Sequence, residues 1–210
     1  MKLMIMGPGG VLENAIALTG YENLCFMIKD NEPLAKAIFD KVGSILVRYY
    51  EICAPFDTVG ALMSNDDWGF KGQTMLSTED MRKYVFGWHK KIVEKIHERN
   101  KPAILHSCGD LGKVMDDVID DMKFDAKHSY EDNIMPVEKI YDLYSERIAI
   151  LGGIDMDFLC REEPEMIFNR SYEMLEKSTV NGGYALGSGN SIPCYVPHKN
   201  FYSMILASRV

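Results

Sequence analysis

Short apolar runs alternate with helical patterns along the whole sequence, and this alternation constrains the fold more than any other feature. Each run is almost continuously apolar, which is typical of a strand covered on both faces. Strands that alternate with helices form parallel βαβ units, so the sequence predicts an α/β protein. The predicted strands are residues 2–6, 58–63, 103–108, 124–128, 147–151 and 183–186. The predicted helices are residues 11–18, 33–49, 77–99, 110–122, 136–144 and 163–178.

Polar residues and glycines follow nearly every predicted strand, which is where a (β/α) barrel carries its active site. A doubly wound open sheet also fits the alternation, but it concentrates its signature at the first turn. We therefore predict one domain, residues 1–210, with the fold of an incomplete TIM (β/α)8-type barrel of about six parallel strands. Its first predicted strand begins at residue 2, so we expect the N-terminal portion of the barrel to be absent.

Charge and cysteine content narrow the class of function. With 23 Lys and Arg against 31 Asp and Glu, the net charge is −8, which disfavours nucleic acid and anionic membranes as partners. No apolar run is long enough to span a bilayer, and no signal sequence is apparent. The five cysteines are odd in number and scattered, as in a reducing compartment. We therefore expect a cytoplasmic protein without a membrane partner.

The third predicted strand ends in a His-x-Cys pair. Side chains two residues apart lie on the same face of a strand, so His106 and Cys108 point the same way and Ser107 points away. Imidazole and thiolate are a ligand set that suits zinc. The alternative is a buried cysteine beside a histidine that hydrogen-bonds to backbone.

Several motifs together resemble the uroporphyrinogen decarboxylase superfamily. They are Gly7-Pro8-Gly9-Gly10, His106-Ser107-Cys108-Gly109, Gly152-Gly153-Ile154-Asp155 and the segment from Gly187 to Pro193, with Pro197 and Asn200. Their order covers essentially the whole chain. The resemblance implies that strands three to eight of the barrel are present and that the first two are not.

The His-x-Cys motif resembles the corrinoid-linked methyltransferases of that superfamily, and the segment 187–193 is similar to components of anaerobic O-demethylase systems. The resemblance implies an enzyme that moves a methyl group from a small methoxylated or methylated compound to a corrinoid protein, with Zn²⁺ as Lewis acid. The corrinoid (cobalamin) cofactor would be carried by that partner protein. A homo-oligomer of this chain is also possible. Asn190 stands where thiol-accepting relatives have a second cysteine, and Cys194 follows four residues later.

Further site residues follow from their places after the strands. The third metal ligand is expected from Asp66 or Asp67, although either could instead cap a helix. His128 and Glu131 are candidates for proton exchange with the leaving group, or simply surface residues. Asp155 is a third catalytic candidate, with helix capping as its alternative.

Candidate substrate-binding residues complete the prediction, although core packing is the default role of the two aromatic ones. They are Trp68, Tyr130, Ser188 and Asn190. Two alternatives to the methyltransferase stay open. One is a metal-free uroporphyrinogen decarboxylase, which would need arginines around an aspartate, and the other is an inactive truncated barrel.

Overall fold

A computed structural model describes residues 1–209, and the chain divides into two compact units, residues 1–125 and the remainder from Ala126. Both units are built from parallel strands that alternate with helices, and residues 1–209 contain six strands. The predicted class, an α/β incomplete (β/α)8-type barrel, is confirmed. Over the described residues, no helix has both the length and the apolar character needed to cross a membrane.

The strands of the first unit are adjacent in chain order. They are β1 (Leu3–Met6), β2 (Val59–Asn65) and β3 (Ala103–His106). The last paired residues of β2 and β3 are Asn65 and His106, so the two strands end side by side. The first strand departs from the prediction of a covered strand: Leu3, Met4 and Met6 are each more than half exposed. Within residues 1–125, β1 is paired with β2 along one edge only.

Five helices belong to the first unit. They are α1 (Val11–Thr19), α2 (Tyr21–Asp30), α3 (Glu32–Cys53), α4 (Thr78–Met81) and α5 (Gly87–His97). Asn31 caps α3, with Pro33 in its first turn. The predicted helix 77–99 is interrupted by a π-helical turn at Arg82–Phe86 that separates α4 from α5. Ser77 Oγ accepts a hydrogen bond from Asp80 N at 3.1 Å and so caps α4.

The predicted helix at 110–122 is not formed as such. A 3₁₀ turn at Gly112–Val114 and a π-helical turn at Asp117–Asp121 occupy this stretch. Asp110 Oδ1 accepts from Gly112 N at 2.9 Å, a local hydrogen bond that competes with the first turn of a helix. Asp110 N in turn donates to Phe70 O at 2.7 Å, which ties the segment to the end of β2.

The second unit repeats the arrangement on a smaller scale. Its strands are β4 (Ala126–His128), β5 (Ala149–Leu151) and β6 (Tyr184–Ala185). Its helices are α6 (Val137–Tyr144), α7 (Met156–Arg161), α8 (Pro164–Ser178) and α9 (His198–Leu206). The last three helices enclose an apolar cluster of Ile154, Leu159, Ile167, Val196 and Met204.

Candidate functional site

Three potential metal ligands converge where β2 and β3 end. Donor atoms of Asp67, His106 and Cys108 all lie within 4.8 Å of one another, and each side chain is partly buried. The structure thus brings together the two residues of the His-x-Cys pair and one of the two candidate aspartates. Alternation along a strand explains why His106 and Cys108 share a face.

Hydrogen bonds join the two strand ends beyond the sheet. Asp66 N donates to His106 O at 3.0 Å, and Cys108 N donates to Asp67 Oδ1 at 2.9 Å. The segments also touch at two glycines, because a Cβ on Gly109 would lie 2.2 Å from the carbonyl carbon of Gly69. Gly109 has φ +88°, which strains any other residue. The metal-ligand candidates are therefore held on a tightly joined pair of turns.

The donor set fits a zinc ion. Carboxylate, imidazole and thiolate are all zinc ligands, and three protein ligands leave a fourth position open, as in catalytic zinc sites. Ligand atoms around tetrahedral zinc lie about 3.5 Å apart, so the cluster would have to contract by roughly 1 Å at its widest pair. Asp67 Oδ1 already accepts from Cys108 N, which orients the carboxylate toward the other two ligands.

Asp66, the other aspartate of the pair, lies elsewhere and is fully buried. Its carboxylate accepts hydrogen bonds from Leu12 N and Glu13 N, both at 2.9 Å, and therefore caps the first turn of α1. His89 Nε2 donates to Asp66 Oδ2 at 2.9 Å, and His89 Nδ1 lies 3.1 Å from Ser64 Oγ. The helix-capping alternative thus describes Asp66, and a metal ligand role falls to Asp67.

One further acidic residue borders this region. Burial, followed by the charges of Asp66 and Asp67, raises the pKa of Glu13 above its ordinary value. Glu13 Oε2 accepts from Gly10 N at 3.0 Å, so the side chain also closes the first turn of α1. The Gly7–Gly10 turn therefore supports the residues next to the cluster.

Trp68 is placed in the core and not on a surface. It is completely buried, with its ring centroid 5.0 Å from that of Phe86 and 4.9 Å from that of His89. Core packing, the default for this residue, is what the structure shows.

A cleft of about 660 Å³ opens where the strands of the second unit end. Tyr130, Glu131, Asp155 and Asn190, all predicted site residues, contribute to its lining. Its ionisable lining is mostly acidic: Glu131, Asp132, Asp155, Asp157 and Glu162 against Arg161. The cleft therefore favours a neutral or positively charged ligand over a polycarboxylate.

The remaining predicted residues have structural contacts in this unit. His128 Nε2 donates to Ser188 O at 3.1 Å, and Ser188 Oγ donates to Asn190 O at 2.6 Å. Burial raises the pKa of Tyr130. Lys127 Nζ lies over the Tyr130 ring, 4.2 Å from its centroid. Neither His128 nor Ser188 is part of the cleft lining.

Asp155 is the N-cap of α7. Its Oδ1 accepts from Asp157 N at 2.7 Å and from Phe158 N at 3.1 Å, and its Oδ2 accepts from Asp132 N at 2.9 Å. Both oxygens are thus engaged with backbone, which is the capping role given above as the alternative.

Arg170 was not predicted from the sequence, yet it organises one wall of the cleft. Its guanidinium donates to both carboxylate oxygens of Asp132, at 2.6 and 2.8 Å, and to Glu138 Oε1 at 2.7 Å. It also lies 4.8 Å from the ring of Phe158. Burial opposes its charge, but hydrogen bonds to Asp132 and Glu138 dominate and raise the pKa of Arg170. The partners are 32 and 38 residues away along the chain, so no local pattern could indicate them.

No curated protein sequence matches the chain. Among solved structures, a methyltransferase from Methanosarcina mazei is similar, with a TM-score of 0.78 and 18% identity over 99% of this chain. The chain spans 58% of the length of that protein. The family model of uroporphyrinogen decarboxylase (URO-D) matches residues 3–209. The chain therefore belongs to the uroporphyrinogen decarboxylase family.

Proposed function

We propose that this chain is a zinc-dependent methyltransferase that moves a methyl group from a small methoxylated or methylated compound to a corrinoid protein. The observation that carries the proposal is the convergence of Asp67, His106 and Cys108 within 4.8 Å. The similar fold of the Methanosarcina mazei methyltransferase supports the same class of reaction. We place the protein in the cytoplasm on its scattered cysteines.

In such a transfer the bond between the methyl carbon and the donor oxygen breaks, and a bond forms between that carbon and the reduced cobalt of the partner. The leaving oxygen takes up a proton. Zinc, when bound, supplies Lewis acidity toward that oxygen. Asp67, His106 and Cys108 would hold the ion, and the hydrogen bond from Cys108 N keeps the Asp67 carboxylate turned toward it.

We propose, as a separate point, that the cleft of the second unit binds a small neutral or positively charged compound. Glu131 and Asn190 line it, and Glu131 is the group that we propose exchanges a proton there. Asp155 shapes the cleft through its three backbone hydrogen bonds, so it acts as a positioning group in this proposal. His128, anchored to Ser188 O, is assigned a supporting role beneath the strand ends.

The same cleft bears on the metal-free decarboxylase alternative. Uroporphyrinogen carries many carboxylates, and binding it would require cationic residues to balance them. The cleft is instead lined by five acidic residues and one arginine. That arginine, Arg161, is paired with Asp157 at 2.7 Å, and the acidic Asp132 is paired with Arg170 at 2.6 Å. This charge balance favours the methyl transfer.

The test is methyl transfer by the purified protein with and without zinc. A methoxylated aromatic compound and reduced cobalamin are mixed with protein that has been loaded with zinc or stripped by a chelator. Formation of methylcobalamin is followed by its absorbance, and we expect it only with the loaded protein. Uroporphyrinogen serves as the competing substrate. Its decarboxylation, without methyl transfer from any methoxylated or methylated donor, would show that the proposal is wrong.

A further inference from the structure

Ser107 lies between the two ligand candidates of the His-x-Cys pair and on the opposite face of the strand. It is completely buried, and its Oγ accepts a hydrogen bond from Trp68 N at 3.1 Å. Building on the proposed zinc centre, we infer that Ser107 is a positioning residue that holds the Asp67 carboxylate in place.

The argument begins with the pattern of hydrogen bonds where β2 and β3 end. In a regular parallel ladder, successive N–H groups donate to backbone carbonyls of the neighbouring strand. That pattern continues as far as Asp66 N, which donates to His106 O. The next two N–H groups donate to side chains: Cys108 N to Asp67 Oδ1, and Trp68 N to Ser107 Oγ. Two side-chain oxygens thus replace two backbone carbonyls as acceptors beside the candidate metal ligands.

This exchange leaves Asp67 fixed on both sides of its Cα. On the N-terminal side, Asp66 is held by its N–H on β3 and by its carboxylate on α1. On the C-terminal side, Trp68 N donates to Ser107 Oγ, while Trp68 O accepts from Met75 N at 2.6 Å. Removing the Ser107 hydroxyl leaves a buried N–H without that acceptor, and the chain would shift to satisfy it.

A shift of Trp68 moves its neighbour Asp67 directly. The Asp67 carboxylate would then turn relative to His106, the last residue of β3, and relative to Cys108, which follows two residues later. Residues that orient metal ligands in this way typically change metal affinity by about 10–100-fold when they are removed. Ser107 would therefore act on the metal through Asp67, without touching the ion.

The test is zinc affinity, measured by competition with a chromogenic chelator, for the wild type and the variant Ser107→Ala. We expect an affinity loss of about 10–100-fold for Ser107→Ala. Ser107→Thr, which keeps the hydroxyl, should bind zinc more tightly than Ser107→Ala. The matched control is Ser171→Ala in α8, since Ser171 is also completely buried but belongs to the second unit. Its zinc affinity should equal that of the wild type.

A double-mutant cycle separates positioning from a general loss of stability. If Ser107 acts through Asp67, then Asp67→Ala and the double variant Asp67→Ala/Ser107→Ala bind zinc equally. A further tenfold loss in the double variant would overturn the inference, and so would wild-type affinity in Ser107→Ala. Wild-type protein that binds no zinc would instead overturn the metal centre itself, and the inference with it.

A second measurement applies if Ser107→Ala does not fold. Positioning through Trp68 is reciprocal, because linkage requires that zinc binding also stabilise the Trp68 N–H contact. Zinc should then slow hydrogen exchange at the Trp68 amide of the wild-type protein. An exchange rate that zinc leaves unchanged would contradict the inference.

Discussion

Cys108 is the residue on which the candidate metal centre depends most. Thiolate is the strongest zinc donor of the three, and the Cys108 backbone also supplies the hydrogen bond that orients Asp67. Loss of this side chain removes a ligand and leaves an imidazole and a carboxylate, a pair that rarely holds zinc alone. The remaining four cysteines do not belong to the cluster.

We predict that Cys108→Ala abolishes stoichiometric zinc, whereas Cys194→Ala retains it. Cys194 is exposed and is the matched control. Metal content after dialysis, determined by plasma mass spectrometry, is the measurement. Zinc occupancy of the wild type should fall as the pH is lowered, because protons compete with the metal for thiolate and imidazole. Full zinc in a folded Cys108→Ala variant would show that the ligand assignment is wrong.

The sequence predicted the candidate metal ligands only as far as local geometry reaches. His106 and Cys108 follow from the two-residue repeat of a strand, which needs no knowledge of the rest of the fold. The choice between Asp66 and Asp67 depends on α1, because two of its backbone N–H groups bind the Asp66 carboxylate. These groups are separated from Asp66 by 53 and 54 positions along the chain. Gly10 permits this contact, since a Cβ there would lie 2.0 Å from the Asp66 carboxyl carbon. Such long-range packing leaves no periodic signal in the sequence.

At the scale of elements, the strands and most helices followed from periodicity, and one of the errors lies beside the candidate site. The stretch 110–122 has helical spacing but forms short 3₁₀ and π-helical turns. The reason is that Gly109 and Asp110 are tied to Gly69 and Phe70, so the chain leaves β3 in a direction set by the neighbouring turn. Contacts between the two strand ends thus override local helix propensity in this stretch.

Arg170 joins α8 to α6 and to the loop that carries Glu131, and we predict that this link stabilises the second unit. Arg170→Ala should lower the free energy of unfolding by about 3 kcal/mol, because it leaves the partly buried carboxylates of Asp132 and Glu138 without their cationic partner. The matched control is Arg161→Ala, whose ion pair with Asp157 is 76% and 66% exposed. It should change stability by less than about 0.5 kcal/mol. Urea unfolding of the three proteins measures both values.

The same link predicts a pH dependence. Burial opposes ionisation of Glu138, but hydrogen bonds from Arg170 prevail and lower the pKa of Glu138 below 4.5. A carboxyl group with a lowered pKa in the folded state stabilises the protein above its unfolded pKa, and this stabilisation is lost as the pH falls through the folded pKa. The difference in free energy of unfolding between the wild type and Arg170→Ala should therefore become smaller below pH 4.5. A difference that is constant down to the acid transition would contradict the role of Glu138.

At the scale of the whole molecule, charge and exposed apolar surface act in opposite directions. A net charge of −8 keeps copies apart at neutral pH, and the acidic cleft of the second unit adds to this effect. In the first unit, however, β1 exposes Leu3 at 52%, Met4 at 54% and Met6 at 52%. An apolar strand with an unpaired edge is a template for pairing with another chain.

We therefore predict that a polypeptide of these 210 residues self-associates through β1 and that Met4→Lys reduces this association. Lysine on an edge strand opposes pairing, because the charge would have to be desolvated against the incoming strand. Stability should change little, since Met4 is already 54% exposed. Met166→Lys is the matched control, because Met166 is 53% exposed but lies on helix α8. Sedimentation velocity over a range of concentrations measures the association. An equal decrease in both variants, or a wild type that stays monomeric at high concentration, would show that the edge of β1 does not drive it.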